Sequence, residues 1–121
     1  MKKLLTLLFV VIAGSVLLSS CGDSGPKELT VNLENGKVIY DKSCIACHWK
    51  GVAGAAALTD TPRWEANAAK GMAVLHQHSI EGFQGEFGVM PAKGTCVDCT
   101  EQDMYDAIGY MLNKAGVVAK K

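Results

Sequence analysis

The pentapeptide Cys44-Ile45-Ala46-Cys47-His48 constrains this chain of 121 residues more than any other feature. Two thiols three residues apart can bond to the vinyl groups of one haem, and the adjoining imidazole then lies beneath the iron as its proximal ligand. The spacing Cys-x-x-Cys-His is typical of c-type haem attachment. Because so short a pattern also occurs by chance, its interpretation depends on the compartment, a second iron ligand and a suitable helical frame.

The first twenty residues have the layout of an export signal. Lys2 and Lys3 precede a nearly unbroken apolar run from Leu4 to Leu18. That run is shorter than the roughly 20 residues that a membrane-spanning helix needs. A short apolar run after a positively charged start is instead typical of a segment that is removed after export.

The segment Leu18-Ser19-Ser20-Cys21 resembles the lipobox of bacterial lipoproteins. In those proteins the cysteine carries the lipid and becomes the first residue of the mature chain. We therefore expect removal of residues 1–20, lipidation of Cys21, a flexible tether over residues 21–30 and one domain over residues 31–121. The protein would then be anchored to a membrane and face the periplasm or the outer side. An uncleaved anchor helix, or cleavage beside an unmodified cysteine, is the alternative.

The charge balance gives no sign of a nucleic-acid partner. The chain has 12 basic and 12 acidic side chains, and removal of Lys2 and Lys3 leaves 10 against 12, a formal net charge of −2. A nucleic-acid partner would need a concentrated basic face, which this sequence does not have. A nearly neutral domain also does not dock through one dominant charge field. We expect the protein to be a monomer.

The predicted sites account for all five cysteines, an odd number for an exported protein. Lipid takes Cys21 and haem takes Cys44 and Cys47, which leaves Cys96 and Cys99. In an oxidising compartment, two cysteines at this short spacing favour a disulfide. A four-cysteine zinc site is the alternative, because two Cys-x-x-Cys pairs suit zinc chemically. The two pairs are 48 residues apart, however, which is more than in the usual zinc ribbon.

Apolar periodicity and end signals predict a small all-α domain. The predicted helices run from Asn32 or Leu33 to about Ser43, from Thr61 as cap through Pro62 to about Ala69, from Met72 to Ile80 with an end at Gly82, and from the cap Thr100 to a stop at Gly116. Residues 82–94 contain four glycines and Pro91 and are predicted to be a loop. A small chain with long loops needs a filler for its core, and haem would supply one.

A second iron ligand is available at Met90. It sits in a glycine-bounded loop, where it has little reason to pack, and Pro91 fixes the chain directly after its sulfur. A thioether ligand favours ferrous iron and raises the reduction potential. We therefore predict that Met90 binds the iron opposite His48. The competitors are Met72, Met104 and Met111, which are predicted to pack in the core, and His76 and His78, which cannot both face the iron from one helix.

From Leu33 to Gly116 the chain resembles the small class I c-type cytochromes of the cytochrome c5 kind. The segments that carry the resemblance are Gly36 to Tyr40, Cys44 to His48, Gly51 to Ala55, Arg63-Trp64, Lys70 to Met72, His78 to Phe83, Met90 to Cys99 and Ala107 to Met111. Paired cysteines six and nine residues after a methionine are a specific mark of that group.

The resemblance implies a cytochrome c fold in which three to four helices wrap around one covalently bound haem. The first and last helices would cross where Gly36 and Tyr40 meet Ala107 and Tyr110. The site residues that it implies are Cys44 and Cys47 on the haem, His48 and Met90 on the iron, Arg63 and Trp64 near the propionates, and a Cys96–Cys99 disulfide beside the haem edge.

Two departures from the family pattern concern the ligands. The family usually has a proline near Ala56, in a stretch whose backbone carbonyl holds the proximal histidine. Here the stretch is Ala55-Ala56-Ala57, so we expect that support to be looser or differently placed. The stretch from Gln84 to Gly88 is longer than usual, and we expect it to alter the exposed haem edge or the iron–sulfur bond.

These observations predict a one-electron carrier that exchanges electrons with redox proteins, and not an enzyme. Transfer would pass through the exposed haem edge near Phe87, Lys93 and Cys96. If Met90 does not bind the iron, the alternative is an open-site haem enzyme, peroxidase-like, or a gas sensor.

Overall fold

A computed structural model describes residues 28–120 of the chain. The predicted signal segment over residues 1–20, the predicted lipidation site Cys21 and most of the predicted tether lie outside the described residues. Within residues 28–120, no helix is both long enough and apolar enough to cross a membrane.

Helices dominate the described domain, as predicted. The regular elements are α1 (Leu33–Ile39), a π-helical turn (Tyr40–Cys44), α2 (Ile45–His48), a 3₁₀ turn (Val52–Gly54), α3 (Thr61–Ala68), α4 (Met72–Glu81), β1 (Phe83–Gln84), β2 (Val89–Met90), a 3₁₀ turn (Ala92–Thr95) and α5 (Glu101–Ala115). The strands β1 and β2 form an antiparallel pair in which Phe83 lies opposite Met90. The prediction of a plain loop over residues 82–94 is therefore wrong for these four residues.

The first helical stretch extends further than the sequence predicted. The Asn32 side chain caps α1 by accepting hydrogen bonds from the backbone N–H groups of Glu34 and Asn35. Instead of ending near Ser43, the helical stretch passes through the π-helical turn and continues to the end of α2 at His48. A π-helical turn inserts an extra residue into the helix and often occurs at functional sites. Here it ends at Cys44, the first residue of the predicted attachment motif.

The crossing of α1 and α5 is close and lies at Gly36, as the family resemblance implied. A Cβ atom on Gly36 would lie 2.2 Å from the carbonyl oxygen of Asp106. The rings of Tyr40 and Tyr110 pack with their centroids 5.4 Å apart. Only glycine lets the two backbones approach so closely, so the sequence places the crossing at this residue.

A buried carboxylate fastens the same crossing. Asp106 in α5 is 1% exposed. It accepts hydrogen bonds from the backbone N–H of Asn32 and from the side-chain amides of Asn35 and Gln102, at 2.8–2.9 Å. A buried charge is tolerated only when it is well hydrogen-bonded. The donors of Asn32 and Asn35 tie the start of α1 to the middle of α5, and Gln102 adds a bond within α5.

The caps of α5 agree with those predicted from the local sequence, whereas the N-terminal cap of α3 differs. Thr100 caps α5 in a reciprocal capping box with Asp103, and Gly116 ends the helix in a left-handed conformation, as predicted. The predicted cap of α3 is wrong by one residue. Asp60 is the cap, with its carboxylate accepting from the backbone N–H of Arg63, and Thr61 is the first helical residue. Both residue types cap helices, so the local sequence alone did not decide between them.

Replacing Gly36 with alanine tests the close crossing. The added methyl group would force α1 away from the Asp106 carbonyl, so we expect the free energy of unfolding to fall by about 1–3 kcal/mol. Denaturant unfolding of the Gly36→Ala protein measures this loss. Val38→Ala, at an exposed position of the same helix, is the control and should change the value by less than about 0.5 kcal/mol. An unchanged stability for Gly36→Ala would mean that the helices do not meet at this residue.

Candidate functional site

A cavity of about 510 Å³ lies beside α5 and brings the predicted site residues together. This size is in the range of small-molecule and cofactor sites, roughly 300–1,000 Å³. The side chains with metal-binding or covalent chemistry that line it are Cys44, Cys47, His48, His78, Met90 and Met111, and Arg63 and Trp64 line it as well. Most of the remaining lining is apolar and includes Val52, Leu75, Phe83, Phe87, Val89 and Ile108.

The two cysteines of the motif are free thiols that face this cavity. Cys44 is buried and Cys47 is half-buried, and neither is bonded to another cysteine. Burial raises the pKa of the Cys44 thiol, so that the thiol stays protonated at neutral pH. Both sulfur atoms are therefore available for bonds to a molecule that fills the cavity.

The other two cysteines of the domain are bonded to each other. Cys96 and Cys99 form a disulfide, and neither of them lines the cavity. Lys42 donates to the Asp98 carboxylate between them, and Lys93 donates to the Cys99 carbonyl. Because the disulfide uses two of the four thiols, the four-cysteine zinc site is not formed in this structure.

The backbone carbonyl of Ala56 holds the His48 ring, although the proline that the family usually has in this stretch is absent. Its Nδ1 lies 3.0 Å from the carbonyl oxygen of Ala56. A carbonyl can only accept, so Nδ1 carries the proton and Nε2 keeps its lone pair. Every fully buried side-chain nitrogen or oxygen of the described residues has a hydrogen-bond partner. Nε2 makes no such bond among them, so it must be accessible, and His48 lines the cavity.

The surroundings of His48 favour the neutral ring. Burial lowers the pKa of His48, the bond to the Ala56 carbonyl opposes this effect, and the nearby charge of Arg63 lowers the pKa further. Neutral imidazole is the form that binds a metal. A hydrogen bond from the second ring nitrogen to a carbonyl is the arrangement that orients metal-binding histidines.

Two consecutive residues of α3 support the segment Gly51 to Ala57, called here the alanine loop. The buried Trp64 donates from its indole nitrogen to the Ala57 carbonyl at 2.7 Å, and its ring centroid lies 5.8 Å from that of His48. Arg63 donates to the carbonyls of Gly54 and Ala55 at 2.8 and 3.2 Å. The family resemblance implied that both residues lie near the haem propionates, and in the structure the side chains of both residues donate hydrogen bonds to backbone carbonyls of the alanine loop.

Met90 lies on β2, half-buried and facing the same cavity as His48. The competitors fall into two groups. Met72, Met104 and His76 do not line the cavity: Met104 is in the core, Met72 packs against it, and His76 Nε2 bonds to the Glu101 carbonyl. Met111 and His78 do line it; Met111 is a buried core residue of α5, and the His78 ring is stacked on Phe83 at 4.1 Å.

The segment Gly85 to Gly88, called here the glycine loop, packs on the alanine loop, a contact that the sequence patterns did not predict. A Cβ atom on Gly54 would lie 1.8 Å from the Phe87 carbonyl oxygen, and one on Gly88 would lie 2.2 Å from the Ala53 carbonyl oxygen. The two loops are therefore in direct backbone contact, and residues of both line the cavity. The glycines are visible in the sequence, but no pattern in the sequence indicates that these two segments contact each other.

Comparison with known proteins points to one family. Residues 31–111 match the family model described as cytochrome C oxidase, cbb3-type, subunit III. Cytochrome c-555 of Prosthecochloris aestuarii is 36% identical over 87 residues, which cover 69% of this chain and 88% of that protein. Cytochrome c5 of Ectopseudomonas mendocina is 36% identical over 77 residues, which cover 60% of this chain and 82% of that protein.

Two solved structures share the fold. A mono-haem ferrocytochrome c from Shewanella putrefaciens superposes with a TM-score of 0.54 at 37% identity, covering 69% of this chain and 94% of its own. One chain of an electron transfer complex of nitrite reductase with cytochrome c gives a TM-score of 0.61 at 28% identity, covering 71% of this chain and 99% of its own.

Alanine substitutions at two glycines of positive φ test the loop contact. Gly54 has φ +81° and would clash with Phe87, whereas Gly116 has φ +73° and a Cβ atom there would have no neighbour within 4 Å. Both changes carry the cost of placing alanine at positive φ, about 1 kcal/mol. We expect Gly54→Ala to reduce the free energy of unfolding by a further 1–3 kcal/mol or so, measured with denaturant. Equal losses in the two variants would show that the loops do not touch.

Proposed function

The chain belongs to the family of small class I c-type cytochromes, and we propose that it is a membrane-tethered carrier whose haem iron is bound by His48 and Met90. Its relatives are cytochromes c, so the chain carries one covalently bound c-type haem and works as an electron-transfer protein, not as an enzyme. When bound, the haem supplies a one-electron couple between ferric and ferrous iron.

The cavity fits the haem by the chemistry of its lining. The free thiols of Cys44 and Cys47 would form the two thioether bonds, and the accessible Nε2 of His48 would bind the iron. The Ala56 carbonyl keeps this imidazole in the required tautomer and orientation. The mostly apolar lining suits the apolar faces of a haem, and the protein would control the iron ligands, the burial of the haem and the access to it.

Met90 is the second ligand that the geometry favours. It lines the same cavity as His48, and the pairing of β2 with β1 fixes its backbone opposite Phe83. Pro91 follows directly and restricts the chain after the sulfur. With both axial positions filled there is no open site for a substrate, which is what a carrier needs. A thioether ligand also stabilises the ferrous state and so raises the reduction potential.

The rim of the cavity is the surface through which electrons would enter and leave. Four large apolar residues both line the cavity and are exposed: Val52, Phe83, Phe87 and Val89. A small apolar rim suits the brief, low-area contacts of redox partners. The solved complex that contains nitrite reductase and cytochrome c supports a protein partner of this kind. We propose redox proteins as donor and acceptor and a monomeric carrier between them.

Replacing Met90 tests the ligation. In Met90→Ala the iron should lose its sulfur ligand, bind carbon monoxide when reduced and have a lower reduction potential, measured by redox titration and absorption. Met72→Ala, outside the cavity, is the matched control and should keep the wild-type potential. If Met90→Ala behaves like wild type, the ligand lies elsewhere. Met111→Leu and His78→Gln would then identify it among the remaining residues that line the cavity.

The proposed tether is tested by Cys21→Ala. If this cysteine carries a lipid, the variant should leave the membrane fraction and appear in the soluble exported fraction, while its haem spectrum stays that of the wild type. Membrane fractionation with absorption at the haem bands measures both properties. A variant that stays in the membrane fraction in wild-type amounts would contradict lipidation at this residue.

A further inference from the structure

The guanidinium of Arg63 lies between the alanine loop and the glycine loop and contacts both. We propose that Arg63 is a positioning residue that latches the two loops together and thereby holds both axial ligands, His48 through the alanine loop and Met90 through the glycine loop. This inference rests on the ligation proposed above. The proposed role of Arg63 concerns the alanine loop and the glycine loop and is separate from a contact with the haem propionates.

The contacts to the alanine loop lie next to the bond that orients His48. Arg63 donates to the carbonyls of Gly54 and Ala55, and the next carbonyl along the chain, that of Ala56, accepts from His48 Nδ1. Three consecutive carbonyls are thus held by two side chains. Any shift of the arginine would move the peptide groups that precede the histidine's acceptor.

The contact to the glycine loop is made through an aromatic ring. The central carbon of the Arg63 guanidinium lies 4.3 Å from the centroid of the Phe87 ring, a cation–π distance. That ring is 60% exposed, so the arginine is a principal reason for it to stay in place. Phe87 is three residues before Met90 and one before Gly88, whose carbonyl accepts from the Gly85 N–H in the closing turn. The position of Phe87 therefore bears directly on the strand that carries the methionine.

Arginine is the residue type that this geometry needs. Two donors in one rigid plane reach two neighbouring carbonyls while the guanidinium carbon lies over a ring, an arrangement that the point charge of a lysine ammonium does not reproduce. The α3 cap holds the side chain in place, because Asp60 accepts from the Arg63 backbone N–H and lies 4.0 Å from its Nε. The latch is thus anchored on a helix and extends to both loops.

Binding of added imidazole to the ferric protein measures how firmly Met90 is held. Imidazole can bind only in the fraction of molecules in which the methionine has left the iron, so its apparent dissociation constant falls as that fraction rises. Loss of an arginine–aromatic contact at a partly exposed site should lower this constant by about fivefold. We expect that result for Arg63→Gln and for Phe87→Leu. The double variant should show no further gain, since each change removes the same contact.

Two further variants separate the latch from simple charge and from general destabilisation. Arg63→Lys keeps the positive charge but loses the planar fork, so it should resemble Arg63→Gln. Lys50→Gln removes an exposed positive charge two residues after His48 that does not line the cavity, and it should leave the imidazole constant unchanged. Phe87→Leu changes an exposed side chain without altering charge and should fold normally.

The outcomes distinguish this inference from the ligation on which it rests. An unchanged imidazole dissociation constant in Phe87→Leu, or additive effects in the double variant, overturns the latch. The ligation itself still stands in that case if the wild-type protein shows a normal methionine–iron absorption band. Wild-type behaviour of Arg63→Lys overturns the latch in favour of a charge effect. A wild-type protein that lacks the methionine–iron band overturns both proposals together. The fivefold, non-additive decrease supports the latch.

Discussion

A hydrogen bond from His48 Nδ1 to the Ala56 carbonyl fixes which ring nitrogen faces the cavity, and the site is arranged around it. No proline stiffens the backbone at Ala56, whose carbonyl accepts this bond. Instead, Trp64 and Arg63 bind the carbonyls on either side of Ala56, so two side chains of α3 supply the support. Because these contacts come from a helix, a rigid element holds the alanine loop, which consists mainly of alanine and glycine.

The scaffold beneath this loop is the crossing of α1 and α5. Gly36 lets the backbones touch, and the buried carboxylate of Asp106 fastens the start of α1. From there a continuous helical stretch leads through the π-helical turn to Cys44 and His48, so the attachment motif directly follows the helix that crosses α5. Glycines serve the same purpose a second time where Gly54 and Gly88 allow the two loops to meet.

Features that depend on neighbours in sequence could be predicted, and features that depend on long-range pairing could not. The capping of α5 by Thr100 and its stop at Gly116 follow from local hydrogen bonding, whereas the crossing at Gly36 was implied by the family resemblance and not by a local pattern. By contrast, the contact of Phe87 with Arg63 joins residues 24 positions apart, and no pattern in either segment indicates the other. The expectation of a looser or differently placed support at Ala56 left out the contacts from α3 to the neighbouring carbonyls, because those contacts are also long-range.

The most direct test of the closed carrier site is the visible and near-infrared absorption of the purified wild-type protein, oxidised, reduced and then exposed to carbon monoxide. Ligation by His48 and Met90 predicts the methionine–iron band in the oxidised protein, sharp c-type bands on reduction, and no change when carbon monoxide is added. A high-spin spectrum that shifts on addition of carbon monoxide would contradict it, because the iron would then have an open position.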